Sequence, residues 1–284
     1  MTTDIASSAG TVELGDLTVN RMGFGAMRIT GEGIWGPPAD PASCIRVLRR
    51  AVELGVNFID TADSYGPEVS ESLIAEALHP YQDGMVIATK AGLTRSGPGK
   101  WDADGRPEHV REAVEGSLRR LRLERIDLYQ SHRPDPKVPY EETIGAFKQL
   151  QEEGKVRHVG VSNVGRTELG VARSLVKVVS VQNRYNLGDR GSEGVLDVCE
   201  EAGIAFIPWF PLATGQLAGA AIERVAERHG VSSMQVGLAW LLQRSRVMLP
   251  IPGTKSVEHL EENVAAAELR LSAGEMEELA SLQA

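Results

Sequence analysis

Only two cysteines, Cys44 and Cys199, occur in 284 residues. Both fall in segments of helical period, so there is no disulfide framework and no metal-ligand spacing; two buried, reduced thiols are expected. Nowhere do about 18 apolar residues run together, which excludes a bilayer-spanning helix. The opening MTTDIASSAG lacks the basic-then-apolar pattern of a secretory leader, and a cytoplasmic location is the expectation. Linkers rich in Pro, Gly or Ser are missing too, so residues 1–284 read as a single domain. The net charge of −9 argues against nucleic acid as the main partner and leaves room only for a local phosphate pocket. Six histidines are present without a partner at ligand spacing, so no metal is expected.

What is present is a rhythm of short apolar runs followed by longer segments of helical period. TVEL and LTVN around Gly15-Asp16 predict a hairpin. Strands are predicted at 21–26, 57–62, 85–90, 126–132, 156–163, 178–183, 204–210 and 247–252. Helices follow at about 41–54, 69–79, 107–121, 140–153, 166–175, 192–202, 219–230, 232–243 and 256–267, with a last one at about 273–282. Asp40 before Pro41 and Gly55 past the end bracket the first helix in the usual way. The stretch 91–106 reads as a long loop. Eight strand-then-helix units behind a hairpin describe a closed α/β barrel, (β/α)8, as in a TIM barrel, with an extra C-terminal helix. The rival is a doubly wound open sheet. Its dinucleotide fingerprint is absent, because Arg28 stands where the third glycine of Gly23-Phe24-Gly25 belongs.

Barrel sites lie at the C-terminal ends of the strands. There the sequence places Asp60 and Tyr65 after the second strand, Lys90 after the third and His132 after the fourth. Alone, each has a plain structural use, such as a turn, a cap or a solvated strand end. Together they form an acid, a phenol, an amine and an imidazole at one mouth. A free phenol titrates near about 10. A neighbouring ammonium stabilises the phenolate, so Lys90, anchored by Asp60, would make Tyr65 a usable general acid. His132 would orient a substrate oxygen. The set suits protonation of an oxyanion as hydride reaches carbon.

NFIDTADSYG, VIATK, DLYQSHRPDP, VGVSN, VQNRYN and PIPGTKSVEHLEENV, in that order, resemble the aldo-keto reductase family over roughly Leu17 to Leu279. The resemblance implies a barrel that binds NADP(H) without a Rossmann domain. It implies Asp60, Tyr65, Lys90 and His132 as the catalytic set, with Asp60 also counted among the cofactor residues. Ser162, Asn163 and Gln182 match groups that hydrogen-bond the nicotinamide carboxamide. Trp209 stands where a stacking Tyr is usual, and Phe210 where a Ser is common, with Pro211 and Leu212 beside the pyrophosphate. Ala26 and Met27 match the exit of strand 1. Gly253, Thr254, Lys255, His259, Glu262 and Asn263 match the adenosine end, His259 replacing a frequent Arg.

Trp35 and Trp101, with Tyr65 and His132, are candidate substrate-pocket residues, since indoles supply large rigid contact area. GPPAD, WFPL and LAWLLQR resemble the subgroup containing bacterial pyridoxal reductases. The implied partner is a small-molecule carbonyl substrate (pyridoxal or an aromatic aldehyde heads the candidates) and the expected state is a monomer or weak homo-oligomer. Two other classes fit parts of the pattern. A Schiff-base aldolase would use Lys90 as nucleophile, although pairing with Asp60 keeps an amine charged and unreactive. A cofactor-sensing subunit would not need the intact four-residue set.

Overall fold

The computed structural model describes residues 4–212 and 219–281. The hairpin forms as expected, from β1 (Thr11–Leu14) and β2 (Leu17–Asn20). Seven strands then make one parallel sheet: β3 (Phe24–Gly25), β4 (Phe58–Asp60), β5 (Val86–Ala91), β8 (Ile126–Ser131), β9 (Val156–Ser162), β10 (Val178–Arg184) and β11 (Ala205–Trp209), neighbours in that order. The expected strand at 247–252 is not a regular strand, yet it closes the barrel. On one side Phe206 N–H donates to the Val247 carbonyl (2.8 Å) and Leu249 N–H to that of Phe206 (2.8 Å). On the other, Gly23 N–H donates to the Pro250 carbonyl (3.0 Å) and Gly25 N–H to that of Pro252 (3.4 Å). Pro250 and Pro252 accept but cannot donate, so only half a ladder is possible. The result is a (β/α)8 barrel.

The helices are α1 (Pro41–Glu53), α2 (Val69–Leu78), α3 (Pro107–Leu121), α4 (Tyr140–Glu152), α5 (Arg166–Leu175), α6 (Glu193–Ala202), α7 (Ala220–His229), α8 (Ser233–Arg244), α9 (Val257–Ala265) and α10 (Ala273–Ala280). Position 282, where the last helix was expected to end, lies outside the described residues. Local chemistry sets several boundaries. The Asp40 carboxylate accepts from Ser43 N–H (3.0 Å) at the start of α1, Ser256 and Ser272 cap α9 and α10, and Gly203 ends α6 with φ 64°.

Two apolar layers between strands and helices surround an interior layer, as alternation along a strand requires. Phe58, Val86, Ala88, Leu128, Ala205, Ile207 and Leu249 fill the interior beneath the site. Val12, Leu14 and Val19 of the hairpin join that layer, so the hairpin plugs the N-terminal end. The stretch 91–106 corrects its reading as a loop: β6 (Leu93–Gly97) and β7 (Lys100–Ala103) form an antiparallel hairpin beside the mouth. Cys44 and Cys199 are buried and free. Among the described residues no helix is long and apolar enough to cross a membrane.

Candidate active site

Period-2 alternation carries Asp60, Lys90, Gln130 and Gln182 inward from four strands, just above the apolar interior layer. Lys90 is wholly buried. Its ammonium has three hydrogens and finds three acceptors: Asp60 Oδ1 at 2.6 Å, the Thr61 carbonyl at 2.8 Å and the Tyr65 hydroxyl at 3.5 Å. The other carboxylate oxygen of Asp60 accepts from Gln182 Nε2 (2.8 Å) and Gln130 Nε2 (3.1 Å). Ser180 Oγ holds Gln130 from behind at 3.3 Å. Gly160 makes room for this layer: a Cβ there would lie 2.2 Å from Ser180 Oγ.

Tyr65 sits on the turn after β4, whose fold is local: Tyr65 N–H donates to the Ala62 carbonyl (3.2 Å) and Glu68 N–H to that of Asp63 (2.7 Å). Its ring packs edge-on against His132 at 5.8 Å and Trp101 at 6.3 Å, while Trp101 lies 6.5 Å from His132. The imidazole and the indole thus flank the phenol. Ser64 Oγ lies 3.5 Å from His132 Nδ1.

Electrostatics follow from burial and charge. Desolvation pulls Lys90 down, but Asp60 and Tyr65 together more than offset it and the amine is held charged above its ordinary value. Burial and the nearby cation Lys90 push His132 well below its ordinary value, so the imidazole is neutral at pH 7. The expected lowering of Tyr65 is corrected. Burial pushes the phenol above its ordinary value, and the ammonium of Lys90 is the main counterweight. Charge alone points to a lowered value; the cost of a phenolate in a dry pocket outweighs it.

The remaining expected residues fall into two groups. Ser162 and Asn163 do not cap the next helix. Ser162 Oγ donates to the Gln182 carbonyl (2.7 Å), Asn163 Nδ2 to the His132 carbonyl (2.9 Å), and Trp209 Nε1 to Asn163 Oδ1 (3.1 Å). Three strand ends are thereby tied to one another and to Gln182. Asn163 (φ 57°) and Phe210 (φ 63°) are in the left-handed region, a costly conformation that clusters at functional sites. Asn186 Nδ2 holds the Phe210 carbonyl at 3.1 Å. Pro211 is buried and Leu212 half-buried, directly before residues 213–218.

The second group stands where the barrel closes. A Cβ on Gly253 would lie 2.2 Å from the Gly25 carbonyl oxygen and 3.7 Å from Arg28 Cγ, so Gly253 adjoins the two residues that flank Ala26 and Met27. Lys255 is exposed, with no carboxylate partner among the described residues. His259 and Glu262 are exposed on α9, whereas Asn263 is buried. Trp35 is exposed and lies outside the aromatic cluster, in contact with it through Arg95, whose guanidinium is 5.8 Å from Trp35 and 3.6 Å from Trp101.

Gln130, Arg28 and Arg95 were not anticipated. Gln130 had a signal, since it precedes His132 by two on the same inward face; Arg28 and Arg95 had none. Among the described residues no group of three His, Cys, Asp or Glu side chains is arranged to hold a metal.

The aldo/keto reductase family model matches residues 21–284, and the chain belongs to that family. It is 55% identical over 269 residues to an uncharacterised oxidoreductase of Schizosaccharomyces pombe, covering 94% of this chain and 88% of the relative. It is 42% identical over 273 residues to pyridoxine 4-dehydrogenase of Escherichia coli, covering 93% and 95%. An aldo-keto reductase from Klebsiella pneumoniae, solved with NADPH, superposes with a TM-score of 0.81 at 28% identity, covering 95% of this chain and 93% of that one.

Proposed function

We propose that this chain is an NADPH-dependent carbonyl reductase, acting as one barrel domain, that converts an aldehyde or ketone to the alcohol with Tyr65 as proton donor. The observation that carries the reading is the buried Asp60–Lys90–Tyr65 chain beside a neutral His132. Asp60 fixes Lys90, and the Lys90 ammonium points a hydrogen at the phenol oxygen. Tyr65 is then left with its own proton free for the pocket. His132, neutral, offers a ring N–H to the substrate oxygen and adds no competing charge. The raised Tyr65 value keeps that proton in place at pH 7, which suits reduction; an alkoxide is basic enough to take it. The reverse oxidation needs the phenolate and is expected to be favoured at alkaline pH. A nucleophilic role for Lys90 is opposed by the same contacts, because all three of its hydrogens are engaged and the amine is charged.

The residues fit a nicotinamide dinucleotide, which supplies the hydride when bound. Ser162, Asn163 and Gln182 offer amide and hydroxyl groups for its carboxamide, and Trp209 offers a face for stacking. Gly253 leaves a side-chain-free surface at the strand end. Lys255 and Arg28 are cations beside it, and the first turn of α9 adds free N–H groups of the kind that favour phosphate. The likeness to an Escherichia coli pyridoxine 4-dehydrogenase supports pyridoxal among the substrates. The aromatic cluster Tyr65–Trp101–His132 supports flat aromatic aldehydes more broadly. The test is a carbonyl panel of pyridoxal, benzaldehydes and sugars followed by NADPH absorbance. Glucose reduced as efficiently as benzaldehyde refutes the substrate reading, and no NADPH oxidation with any carbonyl refutes the reaction.

A further inference from the structure

Arg95, on β6, holds the mouth of the barrel together by an arrangement that exhausts its chemistry. A guanidinium has five N–H groups. Nε donates to the Lys100 carbonyl at 2.8 Å. One terminal nitrogen donates to the carbonyls of Ile34 (2.7 Å) and Ser64 (3.1 Å), the other to those of Gly33 (2.8 Å) and Gly97 (3.4 Å). Five hydrogens thus meet five carbonyls from three segments: the 33–34 turn, the residue before Tyr65, and the β6–β7 hairpin. Among the described residues no carboxylate pairs with it. Its flat face lies 3.6 Å from the centre of the Trp101 ring, which stands edge-on to both Tyr65 and His132.

Two features make this more than surface decoration. Gly33 (φ 65°) and Ile34 (φ 56°) both occupy the left-handed region, where a β-branched residue is strained. Arg95 binds the carbonyls of both, so the strained turn is held by the same group that holds Trp101. The donors are also all spent on backbone, which leaves none to seize a substrate anion. The guanidinium acts through what it positions.

We propose that Arg95 is a positioning residue that fixes Trp101 as a wall of the substrate pocket and thereby sets a preference for flat aromatic carbonyl compounds. The selectivity part rests on the carbonyl-reductase reading; the positioning of Trp101 does not. Lysine cannot replace it, because an ammonium has three hydrogens and no planar face.

The test uses the full chain with Arg95→Met and, as a second variant retaining the charge, Arg95→Lys. Loss of a fixed pocket wall is expected to lower kcat/KM for benzaldehyde about 10²-fold in each variant, chiefly through KM. Propanal, which is too small to use the wall, is expected to change by less than about 3-fold, and NADPH affinity likewise. Trp101→Ala is expected to reproduce the benzaldehyde loss, and combining it with Arg95→Met is expected to add little, because the two act as one unit. Equal losses for both aldehydes, no loss for either, or additive losses in the double variant overturn the proposal. A readout independent of turnover is fluorine NMR of protein carrying 5-fluorotryptophan, with the Trp101 resonance assigned by Trp101→Phe. In both Arg95 variants that resonance is expected to shift or broaden, while that of Trp240, buried against Tyr185, stays in place. An unmoved Trp101 resonance refutes the positioning role. A parent chain that reduces no aldehyde refutes the reductase reading, and the NMR result still decides whether Arg95 positions Trp101.

Discussion

Replacing Lys90 by Met removes the cation on which the proposed proton transfer depends. The ammonium lies 3.5 Å from the Tyr65 oxygen. At an effective dielectric of about 20, a unit charge at that distance stabilises a phenolate by about 5 kcal/mol. Expressed roughly by half in a transition state with the proton midway, this is about 2 kcal/mol, or on the order of 50-fold in kcat. A second effect has the same sign. Asp60 keeps its contacts to Gln130 and Gln182 but loses its cation, and any charge it retains works against a phenolate beside it. The expected loss is therefore at least about 10²-fold, comparable with removing the acid altogether. Asp60→Asn, which leaves the ammonium in place, is expected to cost less. Breaking a buried ion pair from one side also destabilises by about 3–5 kcal/mol, so the assay must follow a check of folding by circular dichroism and thermal denaturation. Single-turnover reduction of a good aldehyde at saturating NADPH isolates the chemical step. A Lys90→Met chain that is folded, binds NADPH and turns over within about 3-fold of the parent refutes the argument.

The same reasoning gives three further expectations. Tyr65→Phe keeps NADPH binding, measured by fluorescence titration, and loses about 10²–10⁴-fold in turnover; parental rates remove Tyr65 as the donor. Lys255→Ala weakens NADPH binding and leaves NADH nearly unchanged, since only the 2′-phosphate distinguishes the two; equal losses, or a parent that binds both equally, overturn the adenosine-end assignment. Asp63 is held well above its ordinary value of 3.8, first by burial and then by Glu71, and its Oδ1 has no partner among the described residues. The folded chain therefore binds more protons there than the unfolded one, and stability falls as pH rises from about 4 toward the raised value. Asp63→Asn removes that slope and raises stability at pH 7 by about 1 kcal/mol; urea denaturation at pH 5 and 8 with an unchanged slope refutes it.

The strand-borne part of the site was legible because strands alternate. Once the strand at 85–90 was recognised, Lys90 had to share a face with Ala88 and Val86, and the same register carries His132 with Gln130 and Leu128. Gln130 could have been found by that count. Its role is not announced by its type, because an amide in a run of aliphatic and aromatic residues signals no chemistry of its own, only a need for partners. The closing segment at 247–252 was legible in position but not in form, since Pro250 and Pro252 withhold the donors a regular strand requires. The β6–β7 hairpin was illegible for another reason. Much of each strand faces solvent, so Thr94, Ser96, Lys100 and Asp102 show none of the apolar alternation by which strands are read, and Pro98-Gly99 was the only local mark of the turn. The sign of the Tyr65 shift needed burial, which no spacing supplies.

Arg95 marks the deeper limit. Its partners are five carbonyl oxygens, and a carbonyl is present at every residue whatever its side chain. A group whose acceptors are all backbone therefore leaves no pattern in the amino-acid sequence beyond its own presence. The contrast divides the mouth of the barrel by how each part is held. Asp60, Lys90, Gln130 and Gln182 stand on strands of the barrel and are fixed by its ladder, whereas Trp101, on the separate β6–β7 hairpin, and the 33–34 turn are held at the mouth through one cation. Changes in the β6–β7 hairpin that move Trp101 can then alter which carbonyl compound fits while the Asp60–Lys90–Tyr65 chain stays in place. A barrel that fixes Asp60 and Lys90 on its own strands, and the pocket wall Trp101 on a hairpin outside its sheet, can change its substrate without rebuilding the support of its acid.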